Sequence, residues 1–277
     1  MSFFNLKRLL PGGARKKEKL LVGIPLAGRY TEKNYDYIIN LFSTTLRSWL
    51  GQTDPNFEIN IACNEVPPKG TVPEDKRISY IVTGPLSRDQ LLANPRADQW
   101  HKRNLLRKQV IERKPRFYFE MDADDNVSCN LVEYIRRVRD PNGYLVRTGY
   151  VFDSQSRSFF LTPNTFLPSP LFDGLCGSSV IVTLDPDENN NDASQARIRR
   201  VHAEGHSKSR QAFLKDNRPA HDISFPAVIY RINHGSNMYM RLNQNERQGF
   251  VDLIRDNCTA VDAETAKRLR KEFSFPD

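Results

Sequence analysis

Hydrophobic periodicity in the first half of the chain switches repeatedly between strand and helix spacing, and this alternation limits the fold more than any other feature. Leu20 to Ile24 is a nearly continuous apolar run ending at Pro25, as in a buried parallel strand. Ile38, Leu41, Phe42, Leu46, Trp49 and Leu50 then recur at helical spacing, with Gly51 as a stop. Phe57, Ile59 and Ile61 alternate as a second strand, and Ile78 to Val82 reads as a third. Leu105, Leu106, Val110 and Ile111 mark a basic amphipathic helix ahead of the apolar stretch Phe117 to Met121. A further helix is expected from about Ser128, as N-cap, through Leu131, Ile135 and Val138. The pattern predicts an α/β fold with a mainly parallel, mixed central sheet flanked by helices.

The second half is less regular. Tyr144 to Phe152, Ser158 to Leu161 and Gly177 to Leu184 read as strands, separated by a proline-rich loop around Pro163, Pro168 and Pro170. Asp185 to Gln195 reads as a polar insertion, Ser207 to Leu214 as a short helix and Ala227 to Ile232 as a strand. Glu246 to Asp256 and Ala263 to Phe273 are expected as closing helices. At the other end, Phe3, Phe4, Leu6, Leu9 and Leu10 alternate with Lys7 and Arg8 ahead of Arg15, Lys16, Lys17 and Lys19. Such a segment suits an anionic membrane surface, a neighbouring subunit or a solvated tail.

Composition narrows the functional classes. With 39% hydrophobic and 27% charged residues, collagen-like and wholly disordered readings are excluded. The 41 basic residues exceed the 33 acidic ones, and the net charge of +8 favours a phosphate-bearing partner. A nucleic-acid-binding module fits poorly, because the aromatics occupy apolar periodic positions rather than interleaving with the basic residues. No apolar run is long enough to span a bilayer and no signal peptide is evident, which points to the cytoplasm. Cys63, Cys129, Cys176 and Cys258 lack metal-ligand spacing and are expected as reduced, partly buried thiols.

The chemistry concentrates at Glu120-Met121-Asp122-Ala123-Asp124-Asp125, at the exit of an apolar strand. Clustered carboxylates repel one another and are tolerated most easily around a cation. Mg²⁺ or Mn²⁺ is the natural candidate, its shell completed by diphosphate oxygens and water. A second Asp-x-Asp, Asp185-Pro186-Asp187, opens a polar Asn-rich loop where a solvated turn suffices. The first match has the better context, since open α/β sheets bind ligands at the carboxyl ends of their strands.

At these residues the chain resembles the nucleotide-sugar-dependent glycosyltransferases of the GT-A fold, particularly family 2. Leu21-Val22-Gly23-Ile24-Pro25 looks like that family's opening strand. Ser48-Trp49-Leu50-Gly51-Gln52-Thr53, continuing Asn56-Phe57-Glu58-Ile59, is similar to its S-x-L-x-Q-T … E-I segment. Arg103-Asn104 ahead of Phe117 to Asp125 looks like its R-N helix and D-x-D-D signature. The resemblance covers about Leu20 to Val138. Beyond the appendage at 1–19, it implies a GT-A catalytic domain at 20–240, with a mixed, mainly parallel central sheet flanked by helices, and a helical C-terminal segment at 241–277. Within the domain, 20–138 would be the nucleotide-binding half and 139–240 the acceptor half.

The resemblance also implies site residues. The loop after Pro25, with Leu26 and Arg29, and Asn64 would hold the base and ribose, an amide standing where many members have an aspartate. Asp122 would face the ribose, and Asp124, with Asp125 as a second candidate, would hold the metal. His234 is either an additional metal ligand, as late histidines are in several GT-A enzymes, or a loop histidine without a role. Gly177, Ser178 and Ser179 would position donor sugar or acceptor, or form a turn. Lys102 and Arg103 would neutralise the leaving nucleoside diphosphate, with Arg107 on a solvated face.

The family's usual E-D pair, whose aspartate deprotonates the acceptor, is missing. In its place stands His202-Ala203-Glu204-Gly205-His206, with Asp222 further on. Glu204 or His206 is expected as general base and Asp222 is the third candidate, since histidine titrates near neutrality unaided. A zinc site at His202 and His206 is disfavoured because Gly205 interrupts the helix and Glu204 is misplaced for it. The expected activity is metal-dependent, inverting transfer from a nucleoside-diphosphate sugar to a saccharide, lipid-linked or protein acceptor, with the enzyme cytoplasmic or peripheral at the inner membrane face. Sugar-phosphate nucleotidyl transfer is the alternative, although Pro25-Leu26-Ala27-Gly28-Arg29 is no lysine-bearing glycine-rich loop.

Overall fold

A computed structural model describes residues 18–31, 34–94, 96–163, 172–184, 191–236 and 244–276. Nearly all of the N-terminal appendage, most of the proline-rich loop and Asp185-Pro186-Asp187 lie outside them. The first half runs β1 (Leu20–Pro25), α1 (Tyr35–Leu50), β2 (Phe57–Cys63), β3 (Ile78–Val82), α2 (Arg88–Ala93), α3 (Ala97–Arg113), β4 (Phe117–Glu120), β5 (Asn126–Val127) and α4 (Leu131–Val138). There follow β6 (Gly143–Leu145), β7 (Tyr150–Asp153), β8 (Ser158–Leu161), α5 (Phe172–Leu175), β9 (Val180–Thr183), α6 (Asn191–His202) and α7 (Ser209–Lys215). The chain closes with β10 (His221–Asp222), β11 (Val228–Ile232), α8 (Gln244–Asn257), β12 (Thr259–Ala260) and α9 (Ala263–Glu272).

Seven strands form the central sheet in the order β10-β6-β9-β4-β1-β2-β3. β3, β2, β1 and β4 are mutually parallel, and β9 alone runs against its neighbours β4 and β6. This is the mixed, mainly parallel α/β architecture expected from the sequence. The carboxyl ends of β1, β2, β4, β6 and β10 share one edge, so Pro25, Asn64, the acidic run and Asp222 lie along it. Its core gathers Trp49, Phe57 and Phe119, all at most 1% exposed, and the Trp49 indole donates to Met121 Sδ at 3.2 Å.

A smaller sheet, β12-β8-β7-β11-β5, was not foreseen. The expected single strand Tyr144 to Phe152 is two, β6 and β7, one in each sheet. The break has a packing cause. The Phe172 ring lies so close to Gly149 that a β-carbon there would approach it to 2.4 Å. The expected polar insertion is also corrected, since from Asn191 onward the chain is helix α6. The C-terminal segment packs on the small sheet through Leu269, Phe273 and Phe275, with Phe275 4.6 Å from Phe152, ring centroid to centroid.

The S-x-L-x-Q-T segment has a physical purpose in this fold. Ser48 Oγ accepts from Val127 N–H at 3.1 Å, and the buried Gln52 amide donates to Ser128 O at 2.7 Å while accepting from Val132 N–H at 3.0 Å. Thr45 Oγ1 donates to Ala123 O at 2.9 Å. Helix α1 therefore clamps the acidic loop and the start of α4, satisfying backbone groups that burial would otherwise orphan. Ser128 is not the N-cap of α4. That position is Asn130, whose N–H donates to Ser128 Oγ at 3.3 Å.

Candidate active site

The four carboxylates at the exit of β4 have different environments. Glu120 is 1% exposed and receives both Arg107 Nε and Nη2 at 2.9 Å, with Arg103 Nη1 at 3.3 Å. Burial works against its ionisation, but Arg103, His202 and Arg107 prevail and hold its pKa down to about 2. Arg107 is therefore a structural strut, not part of a solvated face. Arg103 bridges onward to Asp122 Oδ1 at 2.8 Å, where Gln99 Nε2 also donates at 3.3 Å.

Asp125 is fully buried. Its carboxylate takes Ser178 Oγ–H at 2.5 Å, Cys176 Sγ–H at 3.3 Å and Arg231 N–H at 3.2 Å. Burial, with the charges of Asp124 and Asp122, pushes its pKa well up. Asp125 thus knits the acidic loop to β9 and β11 and is not placed to hold a metal. The same bond turns Ser178 inward, where its Oγ also accepts from Asp122 N–H at 2.9 Å. Ser179 Oγ donates to Cys176 O at 2.7 Å, so both serines brace the fold rather than face a sugar.

Asp124 behaves oppositely. Its Oδ2 meets His234 Nε2 at 2.7 Å across 110 positions of sequence. Burial opposes ionisation, yet this hydrogen bond and the charges of His234 and Arg231 draw the carboxyl below its ordinary range. Pairing of β5 with β11, Ile229 against Asn126, brings the two segments together. Among the described residues no three Asp, Glu, His or Cys form a preformed metal cage. A divalent ion held mainly by substrate phosphates takes one or two protein carboxylates, and here Asp124, with His234 Nε2 beside it, is the side chain that could serve.

Gly177 borders this cluster, since a β-carbon there would stand 2.8 Å from Asp122 Oδ2 and 4.0 Å from His206 Cδ2. Gly177→Ala is therefore expected to shift the Asp122 carboxylate, lowering turnover about 10- to 100-fold with the melting temperature nearly unchanged. Steady-state kinetics beside thermal unfolding checks this, and full activity would contradict the placement.

His206 stands beside Asp122 and Gly177, just after α6. Its Nδ1 lies 2.8 Å from Asp173 O. A carbonyl only accepts, so Nδ1 carries the proton and the neutral ring keeps its Nε2 lone pair. The other candidate bases are placed less well. Glu204 is 65% exposed and pairs with Lys215 at 3.6 Å, in a surface depression between α6 and α7 that contains none of the β4-exit carboxylates. Asp222 accepts from Arg147 at 3.0 Å and from Arg210, so both oxygens are engaged.

On the nucleotide side, the structure brings the expected residues together but uses several internally. Lys102 is 1% exposed, and its ammonium donates to Leu26 O at 2.7 Å, Asn64 Oδ1 at 2.5 Å and Asp98 Oδ2 at 2.6 Å. All three protons are engaged, so Lys102 ties the β1 and β2 loops to α3 and has no proton left for a phosphate. Asn64 Nδ2 reaches Thr83 O at 3.3 Å and Gly84 O at 3.4 Å, which engages both ends of the amide expected to read the base. Leu26 is wholly buried and Pro25 buried beside it, so neither side chain faces a ligand. Arg29 stays half-exposed, stacked 4.4 Å over Tyr35 and paired with Glu65 at 3.3 Å.

Sequence reading weighed His202 only as a zinc ligand and missed Asp173. His202 Nε2 is buried with no hydrogen-bond partner among the described residues. Burial, with Arg107 and Arg103, presses its pKa to about 4 against the pull of Glu120. Between the ordinary 6.5 and 4, the unfolded chain binds a proton that the folded protein refuses, so stability falls as pH drops through that window. Glu120 adds a loss below its ordinary 4.5, as pH approaches 2, while the raised Asp125 opposes both. The melting temperature is expected to decline from pH 6.5 to 4, and His202→Gln to flatten that decline. An unchanged slope in the variant would remove His202 from the account.

A family model described as "Putative rhamnosyl transferase" matches residues 11–150 of the 277-residue chain. The chain belongs to that family. It is accordingly a glycosyltransferase. The rhamnosyl transferase match takes in the carboxylate cluster and ends at the start of β7, leaving His206 and His234 beyond it. A search of curated proteins gave no match. Similar solved structures include S. aureus TarS 1-349, at 14% identity and TM-score 0.42, covering 92% of this chain and 70% of that one. Another is glycosyltransferase GlyE of Streptococcus pneumoniae TIGR4, at 9% identity and TM-score 0.40, with 94% of this chain spanning 64% of GlyE. A third is 4-diphosphocytidyl-2C-methyl-D-erythritolsynthase of Anaerococcus prevotii DSM 20548, at 10% identity and TM-score 0.38, covering 85% of this chain and 99% of that one. Among the described residues no helix is long and apolar enough to cross a membrane.

Proposed function

We propose that this protein moves a sugar, rhamnose by the family description, from a nucleoside diphosphate to an acceptor hydroxyl, with inversion at the anomeric carbon and dependence on Mn²⁺ or Mg²⁺. The observation that carries the reading is the meeting of Asp124 and His234 at 2.7 Å on the carboxyl edge of the sheet. These two residues would hold the cation, and Asp122, pinned by Arg103, would face the donor beside it. Once bound, the ion supplies positive charge against the departing diphosphate.

The acceptor hydroxyl is deprotonated by His206 Nε2, its ring orientation fixed from the opposite nitrogen by Asp173 O. With His206 as base, direct attack of the hydroxyl on the anomeric carbon, opposite the departing diphosphate, is a single displacement, which inverts. Arg29 and the backbone after Pro25 border the base and ribose position. The basic and apolar N-terminal stretch, residues 1–19, suits an acceptor presented at an anionic membrane surface.

A screen of nucleotide sugars with MnCl₂, scored by release of nucleoside diphosphate, tests the reading. A deoxyhexose donor is expected to be consumed only with the metal present. Pyrophosphate release from a nucleoside triphosphate plus sugar phosphate would replace the reading with nucleotidyl transfer.

A further inference from the structure

Among the described residues two arginines meet on one carboxylate in two places, with opposite character. Around Glu120 the arrangement is closed, with a buried carboxylate and bidentate Arg107. Around Asp222 it is open. Arg147, Arg210 and Asp222 keep 29%, 34% and 40% of their side chains exposed, and each guanidinium gives Asp222 a single nitrogen. Arg147 Nε and Arg210 Nε are buried without a hydrogen-bond partner among the described residues, Arg210 Nε lying 3.9 Å from Asp173 Oδ2. A pair this exposed adds little to folding and is cheaply exchanged.

Position gives the open cluster a purpose. It lies at the carboxyl ends of β6 and β10, on the same edge as Asp122, and Arg210 adjoins Asp173, whose carbonyl orients His206. Resting on the glycosyl-transfer reading above, we infer that Arg147 and Arg210 form an acceptor subsite for an acidic saccharide, gripping a carboxylate or phosphate on the sugar that carries the accepting hydroxyl. Asp222 occupies the subsite when no acceptor is bound. Guanidinium forks suit such oxyanions, and the single-nitrogen bonds to Asp222 leave one further Nη on each arginine.

The test uses the full chain in MnCl₂ with UDP, dTDP and GDP together, so that the nucleotide site is filled whatever its base. Calorimetric titration with glucuronic acid, glucose 6-phosphate and glucose follows. At least one acid is expected to bind tenfold or more tightly than glucose, and the stronger of the two identifies carboxylate or phosphate. Arg147→Gln and Arg210→Gln should each weaken that acid about tenfold. Asp222→Asn should strengthen it severalfold by removing the competing carboxylate, a gain that a merely structural cluster would not produce. Equal binding of all three sugars, no binding, or weaker binding to Asp222→Asn overturns the subsite. Nucleotide binding without acid binding removes the subsite alone. Acid binding without any nucleotide response removes the transfer reading and, with it, the acceptor role.

Discussion

Asp124→Asn is expected to lower sugar transfer by roughly 10³-fold or more while leaving the fold intact. Asp124 carries the available negative charge of the cluster, because Asp125 is saturated by Ser178, Cys176 and the Arg231 backbone, and Asp122 by Arg103 and Gln99 on one oxygen. Two effects on stability oppose each other. The variant loses the charge-assisted bond from His234, and it relieves the repulsion by which Asp124 raises the pKa of both Asp122 and Asp125. The net change should stay within about 1 kcal/mol. Transfer assays beside denaturant unfolding check both halves, and an Asp124→Asn enzyme retaining a tenth of normal turnover would contradict the assignment.

His206→Asn should cost about 10²- to 10⁴-fold in kcat with nucleotide affinity unchanged. Asparagine can offer its amide N–H to Asp173 O where Nδ1 now donates, so the local structure is kept while the basic nitrogen is lost. A fall confined to KM would make His206 a binding group instead of the base. Glu204→Gln, in the exposed pair with Lys215, should leave transfer almost unaffected.

The nucleotide-binding half was legible in the sequence because its strands are buried on both faces and its helices carry one apolar stripe. Leu20 to Ile24, Phe57 to Ile61 and Ile78 to Val82 announce themselves by local spacing alone. The split of Tyr144 to Phe152 between two sheets did not, since it depends on Phe172 packing over Gly149 from more than twenty positions away. The acidic run was equally visible, but not which of its aspartates turns inward. That is decided by β11, whose Arg231 N–H reaches Asp125 across 106 positions. Basic residues misled for a related reason. Lys102 read as charge for the diphosphate and Arg107 as part of a solvated face, whereas Asn64 and Glu120, which engage them, lie 38 and 13 positions away and meet them only on folding. The choice among Glu204, His206 and Asp222 also awaited geometry. No local pattern marks Asp173 as the carbonyl that orients His206.

The central claim is that Asp124 and His234 hold a divalent ion against the donor diphosphate. The most direct measurement is calorimetric titration of nucleoside diphosphate into the protein, first after exhaustive chelation and then in MnCl₂. Binding is expected to be at least 100-fold tighter with the metal, with Asp124→Asn indifferent to its addition. Equal affinity with and without Mn²⁺ in the unaltered protein would contradict it.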